Sequence, residues 1–441
     1  MDRLESVLNF PIHYGLGQDS PIRSQWQQHK LLTAFQPIFS LAHQRPVGYE
    51  ALVRPYHTTL GAITPNQLFG NINPEDIMQL DRACRLAHVG NFKTLNPENS
   101  WLFLNVNPTV VLQGMQGDNH FLRDLLAFFQ VPANRVVVEI LEKAIEDEAL
   151  LVDAVAYFRE MGCLVALDDF GAGQSNFDRV WRLQPDIVKL DRNMIHNAVT
   201  NSRARTVLPG LVSLLHTAGC LVLLEGIETE EEAMIAMDTE ADFVQGFHFA
   251  RPQTDLGTIL QKQCRDLASL SRRFRSHAMD ETRLMWQRIH PQLEMFTQMV
   301  ECFANNPQPE AFDAILSHSS VLRCFILDEN GIQQGPNLES PTELRERFTR
   351  FSPVSDATQA DWSRKAYFRR AACNEGTIQL SGPYLSITDG RMCLTLSQSL
   401  FSQGKKMILC CDVAWETSTP LMTASFSPSS QGLQRATAIS A

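Results

Sequence analysis

The feature that most constrains this chain is a rhythm of eight short runs with strand character between residues 35 and 245, several of them closing on a polar side chain. They are residues 35–41, 47–53, 101–105, 135–140, 163–167, 186–190, 220–224 and 242–245. Helical spacing fills later intervals, as in residues 149–162 and 203–219, the second ending in a glycine that suits a helix stop. Strands alternating with helices at this spacing predict a parallel sheet, and eight units predict closure into a barrel. Only residues 42–46 separate the first two runs, too few for a crossover helix, so this pair is expected to be antiparallel. The fold class expected is α/β: a modified TIM (β/α)8 barrel with one antiparallel strand.

A chain of 441 residues exceeds what one core usually organises. The texture divides it into a loose lead-in (1–30), the barrel (31–255), a helical connector (256–305), a smaller α+β domain (306–415) and a flexible Ser/Thr/Ala-rich tail (416–441). Within the connector Leu293, Phe296, Val300 and Phe303 repeat at three and four, and Pro291 is expected to start a second helix or kink a long one. Strands are expected at residues 321–328, 376–380, 383–387, 392–397 and 407–413, with a turn at Asp328-Glu329-Asn330-Gly331.

Barrels of this kind carry function on the loops after their strands. Reading each run to its end gives Glu50, Asn105, Glu139, Asp168 with Asp169, Lys189, Glu225 and Gln245. Five carboxylates around one mouth, with Lys189 the one cation among these groups, raise one another's pKa unless positive charge is supplied. Divalent cations would supply it. Every donor is oxygen, with no His or Cys at a strand end, which favours Mg2+ or Mn2+ over Zn2+. Two metals about 3.5–4 Å apart are the usual device for in-line displacement at phosphorus, and Glu225 or Lys189 would orient the attacking water or relay its proton.

The string Tyr49-Glu50-Ala51-Leu52-Val53-Arg54-Pro55, preceded by Gln36-Pro37-Ile38, resembles the signature of EAL-domain cyclic-di-GMP phosphodiesterases. Further motifs follow in the family's order: Asn105-Val106-Asn107-Pro108, Glu139-Ile140-Leu141-Glu142, Asp168-Asp169-Phe170-Gly171-Ala172-Gly173, Lys189-Leu190-Asp191, Glu225-Gly226-Ile227-Glu228 and Gln245-Gly246-Phe247. The resemblance implies two metals held by Glu50, Asn105, Glu139, Asp168, Asp169 and Glu225, with Glu50, Lys189 and Glu225 catalytic. It implies substrate contacts from Gln36, Leu52, Arg54, Glu228 and Gln245, with Arg54's planar fork suited to guanine or phosphate. Glu142 would steady the loop after Asp169, which in this family lies near a homodimer contact, and the product would be linear pGpG. Two departures are Gln174, where Tyr is common, and Asn107, where Ser is common. Neither removes a ligand, but the first sits in the loop that couples dimerisation to activity. The C-terminal segment is similar to PAS/Cache-type sensor domains, implying a small ligand there that is not identified.

A net charge of −11 speaks against a nucleic-acid polymer as partner. Ten scattered cysteines without a CxxC pair fit reduced thiols and a cytoplasmic location. No stretch of eighteen apolar residues suggests membrane insertion. His57, His88 and His248 read as surface or packed histidines, and Gly171-Ala172-Gly173 fails the P-loop spacing. Arg369 and Arg370 beside Tyr367 are either a small-anion site or the exposed face of a helix. Against the enzyme stand two other readings: a non-catalytic cyclic-di-GMP receptor signalling through its C-terminal domain, and a barrel that serves only as a protein-interaction scaffold.

Overall fold

The computed structural model describes residues 24–70, 72–73, 76–95, 99–106, 121–141, 148–173, 177–254, 259–339, 356–415 and 424–426. It comprises two units, Met1–Phe274 and Arg275–Ala441. In the first, eight strands close a barrel: β1 (His29–Ser40), β2 (Arg45–His57), β3 (Trp101–Asn105), β4 (Val136–Leu141), β5 (Leu164–Phe170), β6 (Ile187–Leu190), β7 (Leu221–Leu224) and β8 (Phe243–Val244). β1 runs antiparallel to both β2 and β8, while every other neighbouring pair is parallel. The modified barrel with its one antiparallel strand is therefore as the sequence indicates.

Helices link the parallel strands: α1 (Ile77–Leu95), α2 (Phe121–Phe129), α3 (Glu148–Met161), α4 (Phe177–Leu183), α5 (Arg192–Thr200), α6 (Ser202–Thr217) and α7 (Glu230–Asp238). Their starts are set locally. Asp191 caps α5 by accepting from the backbone N–H of Asn193, and Asn201 caps α6. Thr229 and Glu232 form a reciprocal capping box on α7. At the opposite ends of the strands, Asp186 accepts from the Val165 N–H and Asp242 from the Val222 N–H, fastening neighbouring strands together.

Side-chain alternation fixes what lies inside. Ile38, Phe103, Val137, Ala166, Ile187, Leu223 and Phe243 form one apolar layer in which no residue is more than 6% exposed. Because side chains on a strand alternate faces, the residue two positions on points into the barrel as well. That step leads to Asn105, Glu139, Asp168, Lys189, Glu225 and Gln245, and on antiparallel β1 the reverse step leads to Gln36. On β2 the apolar layer is occupied by Gly48, where a Cβ would stand 2.5 Å from the Phe103 ring. Glu50 follows two residues later. A greasy floor thus underlies a polar layer, and the strand period alone stacks one on the other.

The second unit is α+β. Its strands are β9 (Val321–Asp328), β10 (Leu338–Glu339), β11 (Ile378–Leu380), β12 (Tyr384–Leu385), β13 (Met392–Ser402), β14 (Lys405–Ala414) and β15 (Ala424–Phe426). They make an antiparallel sheet in the order β10-β9-β14-β13-β11-β15, with β12 also on β13. One face packs Leu394, Leu396 and Leu409 against Phe296, Val300 and Phe303 of the long helix α8 (Ile259–Asn305). The other packs Phe325, Leu327 and Ile408 against Tyr367, Phe368 and Ala371, carried by the helix that runs Ala366–Cys373.

Four expectations are corrected in detail. Strand structure already begins at Ser24–Trp26, paired with the start of β1, inside the expected lead-in. β5 runs on to Phe170, so Asp168 and Asp169 lie within the strand, at an irregularity in its register with β6, rather than after it. Of the two alternatives for Pro291 the start of a second helix is set aside: the proline sits inside one long helix, with Ile289 and Leu293 on either side of it buried in the same core, and that packing offsets the lost backbone bond. Within the expected tail, residues 424–426 pair with β11. Among the described residues no helix is long and apolar enough to cross a membrane.

Gly246, just past β8, is the tightest backbone contact near the polar layer: a Cβ there would lie 2.0 Å from the Ile227 carbonyl oxygen. Gly246→Ala is expected to cost about 1–3 kcal/mol, as overpacking does, and differential scanning calorimetry should show a lowered Tm. An unchanged Tm would contradict the close approach.

Candidate active site

The polar layer is built around one buried ammonium. Lys189, with a side chain 1% exposed, lies 2.5 Å from Glu139 Oε1, 2.9 Å from Asp168 Oδ1 and 2.6 Å from Glu225 Oε1. These partners arrive from β4, β5 and the end of β7, with Lys189 itself on β6. Beside them Glu50 accepts hydrogen bonds from Asn105 Nδ2 at 2.9 Å and Gln245 Nε2 at 2.6 Å, so both its oxygens are oriented by amides from β3 and the end of β8. Carboxylate oxygens of Asp168, Asp169 and Glu225 lie within 4.8 Å of one another. Asp169 adopts a left-handed backbone (φ 57°), and its N–H donates to Asp168 Oδ1 at 3.0 Å. That conformation, uncommon for a non-glycine residue, turns two consecutive aspartates toward one place.

The electrostatics show a shortage of positive charge. Burial pushes the Glu139 carboxyl well above its ordinary range; Lys189 opposes this, and Glu50 and Asp168 add to it. Burial likewise lifts Glu225 to about 8, against the pull of Lys189. For Lys189 burial alone would lower the pKa, but Asp168, Glu139, Glu225 and Glu50 outweigh it and hold the ammonium well above the usual lysine value. One lysine cannot balance this many carboxylates in a low-dielectric pocket.

The residues fit divalent cations on their own chemistry. Glu139 Oε2 is buried without a hydrogen-bond partner, as is Gln245 Oε1. A buried acceptor with no donor costs about 1–3 kcal/mol. The donor set of carboxylates with one amide is all oxygen, as hard cations prefer.

The remaining sequence candidates fall around this centre. Gln36, 8% exposed, donates to the Ala250 carbonyl at 3.2 Å. Arg54 donates to the Val53 carbonyl; burial lowers its pKa while Glu50 raises it. Leu52 is half-buried between them on β2. Glu228 stands exposed beyond Glu225, and its backbone N–H donates to Glu232, so the structure ties its side chain to none of the site residues. Glu142, Asn107 and Gln174 lie outside the described residues. His88 is a packed histidine, held neutral by burial and by Arg54 with its pKa down to about 3, and its Nδ1 is 2.8 Å from Thr33 Oγ1. His57 Nδ1 accepts from the Thr59 and Leu60 N–H groups, and His248 is half-buried with its pKa lowered, first by desolvation.

Sequence reasoning missed the Asp81–Arg85 ion pair on α1, which is buried while both Arg82 and Arg85 lie over the Phe121 ring. An i,i+4 charge pair normally reads as a solvated helix face, and nothing in the local pattern separates the two cases. In the second unit, Arg369 donates to the Arg364 carbonyl and Arg370 to the Leu380 carbonyl, while Tyr367 is buried. This favours the bland reading of that arginine pair.

The model of the EAL domain matches residues 20–252. An uncharacterised protein from Azorhizobium caulinodans is 30% identical over 239 residues, covering 51% of this chain and 32% of that protein. The cyclic di-GMP phosphodiesterase RocR of Pseudomonas aeruginosa is 28% identical over 232 residues, covering 50% of this chain and 57% of RocR. The chain thus spans between about a third and somewhat over half of these curated relatives. In fold it is similar to the Bacillus subtilis YkuI protein, solved with its substrate c-di-GMP and calcium, at a TM-score of 0.71 and 22% identity, over 88% of this chain and 96% of that one. With the family model matching more than half its length, this chain belongs to the EAL domain family.

Proposed function

We propose that the chain hydrolyses one phosphodiester of cyclic-di-GMP to give linear pGpG. The observation that carries this reading is the convergence of Glu139, Asp168 and Glu225 on buried Lys189, beside an amide-oriented Glu50. Glu50, Asn105, Glu139, Asp168, Asp169 and Glu225 would hold two Mg2+ or Mn2+ ions, which when bound supply charge for the developing phosphorane and lower the pKa of water. A receptor that only bound the nucleotide would have no use for so large a buried acid cluster, which costs folding stability.

The chain's own groups have distinct tasks in this account. Lys189, kept charged by its neighbours, stays protonated through the physiological range and donates hydrogen bonds toward the attacking water. Glu225 is the carboxyl whose proton must leave before it can act as ligand or base. Gln36, Leu52, Arg54, Glu228 and Gln245 line the path for guanine, ribose and phosphate, with Arg54 supplying a planar donor pair. Glu142 would steady the loop after Asp169. The C-terminal domain is a PAS/Cache-like sensor for a small ligand, joined through α8, and the active protein is a cytoplasmic homodimer. The proposed divisions are a barrel to residue 255, a connector to 305 and a sensor to 415, with Ser24–Trp26 joining the barrel sheet and 424–426 the sensor sheet.

Purified protein incubated with cyclic-di-GMP and Mn2+ should release pGpG by ion-exchange chromatography. Lys189→Met should lower turnover by about 10²–10⁴-fold, the usual size of a proton-handling contribution, and Glu50→Ala should abolish it. Binding of cyclic-di-GMP in Ca2+ without hydrolysis under any metal would favour the receptor instead, and no binding at all would favour the scaffold.

The pH dependence has a definite sign. Glu225, raised from an ordinary 4.5 to about 8 in the metal-free chain, must lose its proton to serve as a ligand, so Mn2+ affinity should climb as pH rises toward 8. In metal-free protein the same raised value means stability present below pH 4.5 and lost as pH rises through about 8. Chelator-treated protein should therefore show a Tm that falls over that interval, a fall that Mn2+ should reduce. A flat profile in both measurements would contradict the assignment.

A further inference from the structure

The second unit contains a cavity of about 630 Å³ whose lining includes Phe303 at the end of α8, Phe312 in the turn that follows, Ile326 on β9, Leu338 on β10 and Met407 on β14. Its size falls in the range of small-molecule sites. The hairpin joining β13 to β14 adds Ser402 and Lys405 to the wall. Ser402 is 4% exposed, and its hydroxyl is buried with no hydrogen-bond partner. That hydroxyl is closed off from the cavity, so the hairpin's polar contribution to the wall is Lys405. Lys405 is the one charged residue among the described lining residues, and no acidic side chain balances it there. The neighbouring Lys406, by contrast, is committed to Glu375.

From this combination we propose that the cavity binds a small amphipathic monoanion: an apolar chain or ring against the Phe and Leu side chains, with a carboxylate or similar acidic head received by Lys405 Nζ. Apolar walls supply most of the binding free energy and the lysine orients the head. The site deepens the ligand-sensing part of the proposed function and rests on that reading only for its consequence. The binding itself is independent of chemistry at the barrel mouth. It also lies apart from Arg369 and Arg370, the pair that the sequence offered for an anion. Occupancy would bear on α8 directly, because Phe303 and the turn at Pro309–Phe312 belong to the same wall.

The test is isothermal titration of the full chain with decanoate, decanol and decylammonium, each below its aggregation concentration. The proposal expects saturable decanoate binding at one site per chain, at least tenfold tighter than decanol, with decylammonium weaker still. Lys405→Glu, an exposed change that leaves folding intact, should weaken decanoate by at least tenfold, and Ser402→Ala, at a hydroxyl shut off from the cavity, should leave it within twofold. Equal affinity for the three probes, or decanoate binding indifferent to Lys405→Glu, would overturn the assignment of this cavity. Because the readout is heat of binding, its failure leaves the hydrolysis of cyclic-di-GMP untouched, and failure of hydrolysis leaves the cavity untouched.

Discussion

A single ammonium buried among carboxylates organises the barrel's functional end. Lys189 reaches Glu139, Asp168 and Glu225, which come from strands far apart in sequence. Without a cation in that place the acids would repel each other and stay protonated. With only one, they remain short of positive charge, as the raised carboxyl pKa values of Glu139 and Glu225 record. The site is thus electrostatically incomplete, and that incompleteness is what the proposed hard cations would make good.

The layer beneath makes this possible. Seven apolar side chains close the barrel floor, and Gly48 yields its place to the Phe103 ring. Water is excluded from below, so the charges above interact through a low dielectric. Strand alternation puts the two layers in fixed order: a one-residue slip in a strand would turn its polar-layer residue away from the barrel interior. Specificity of register and chemistry of the mouth are consequences of the same period-two pattern.

Much of this was legible in the chain. The antiparallel first pair followed from the shortness of the 42–46 connection, and the polar strand ends pointed to the mouth because barrels place function there. What was not legible depended on tertiary context. β5 runs past Leu167 because Asp169 takes a left-handed backbone at an irregularity in the ladder, which no local propensity announces. Pro291 fits inside a helix because the core on either side of it outweighs the missing hydrogen bond. The pairing of residues 424–426 with β11 needs a partner strand about 45 residues earlier, and the buried Asp81–Arg85 pair looks like any solvated i,i+4 pair until its neighbours are known. Distant partners, rather than local pattern, decided each of these.

The account's central claim is that the acids around Lys189 form a metal site and not merely an ion-pair cluster. Titration of chelator-treated protein with Mn2+, read by calorimetry and by the loss of free-ion paramagnetic resonance signal, tests this without requiring substrate. Two ions bound per chain, releasing protons and tightening as pH rises toward 8, with both lost in Asp168→Asn/Asp169→Asn, is the expected result. Absence of saturable binding, or binding that this double substitution leaves unchanged, would contradict it.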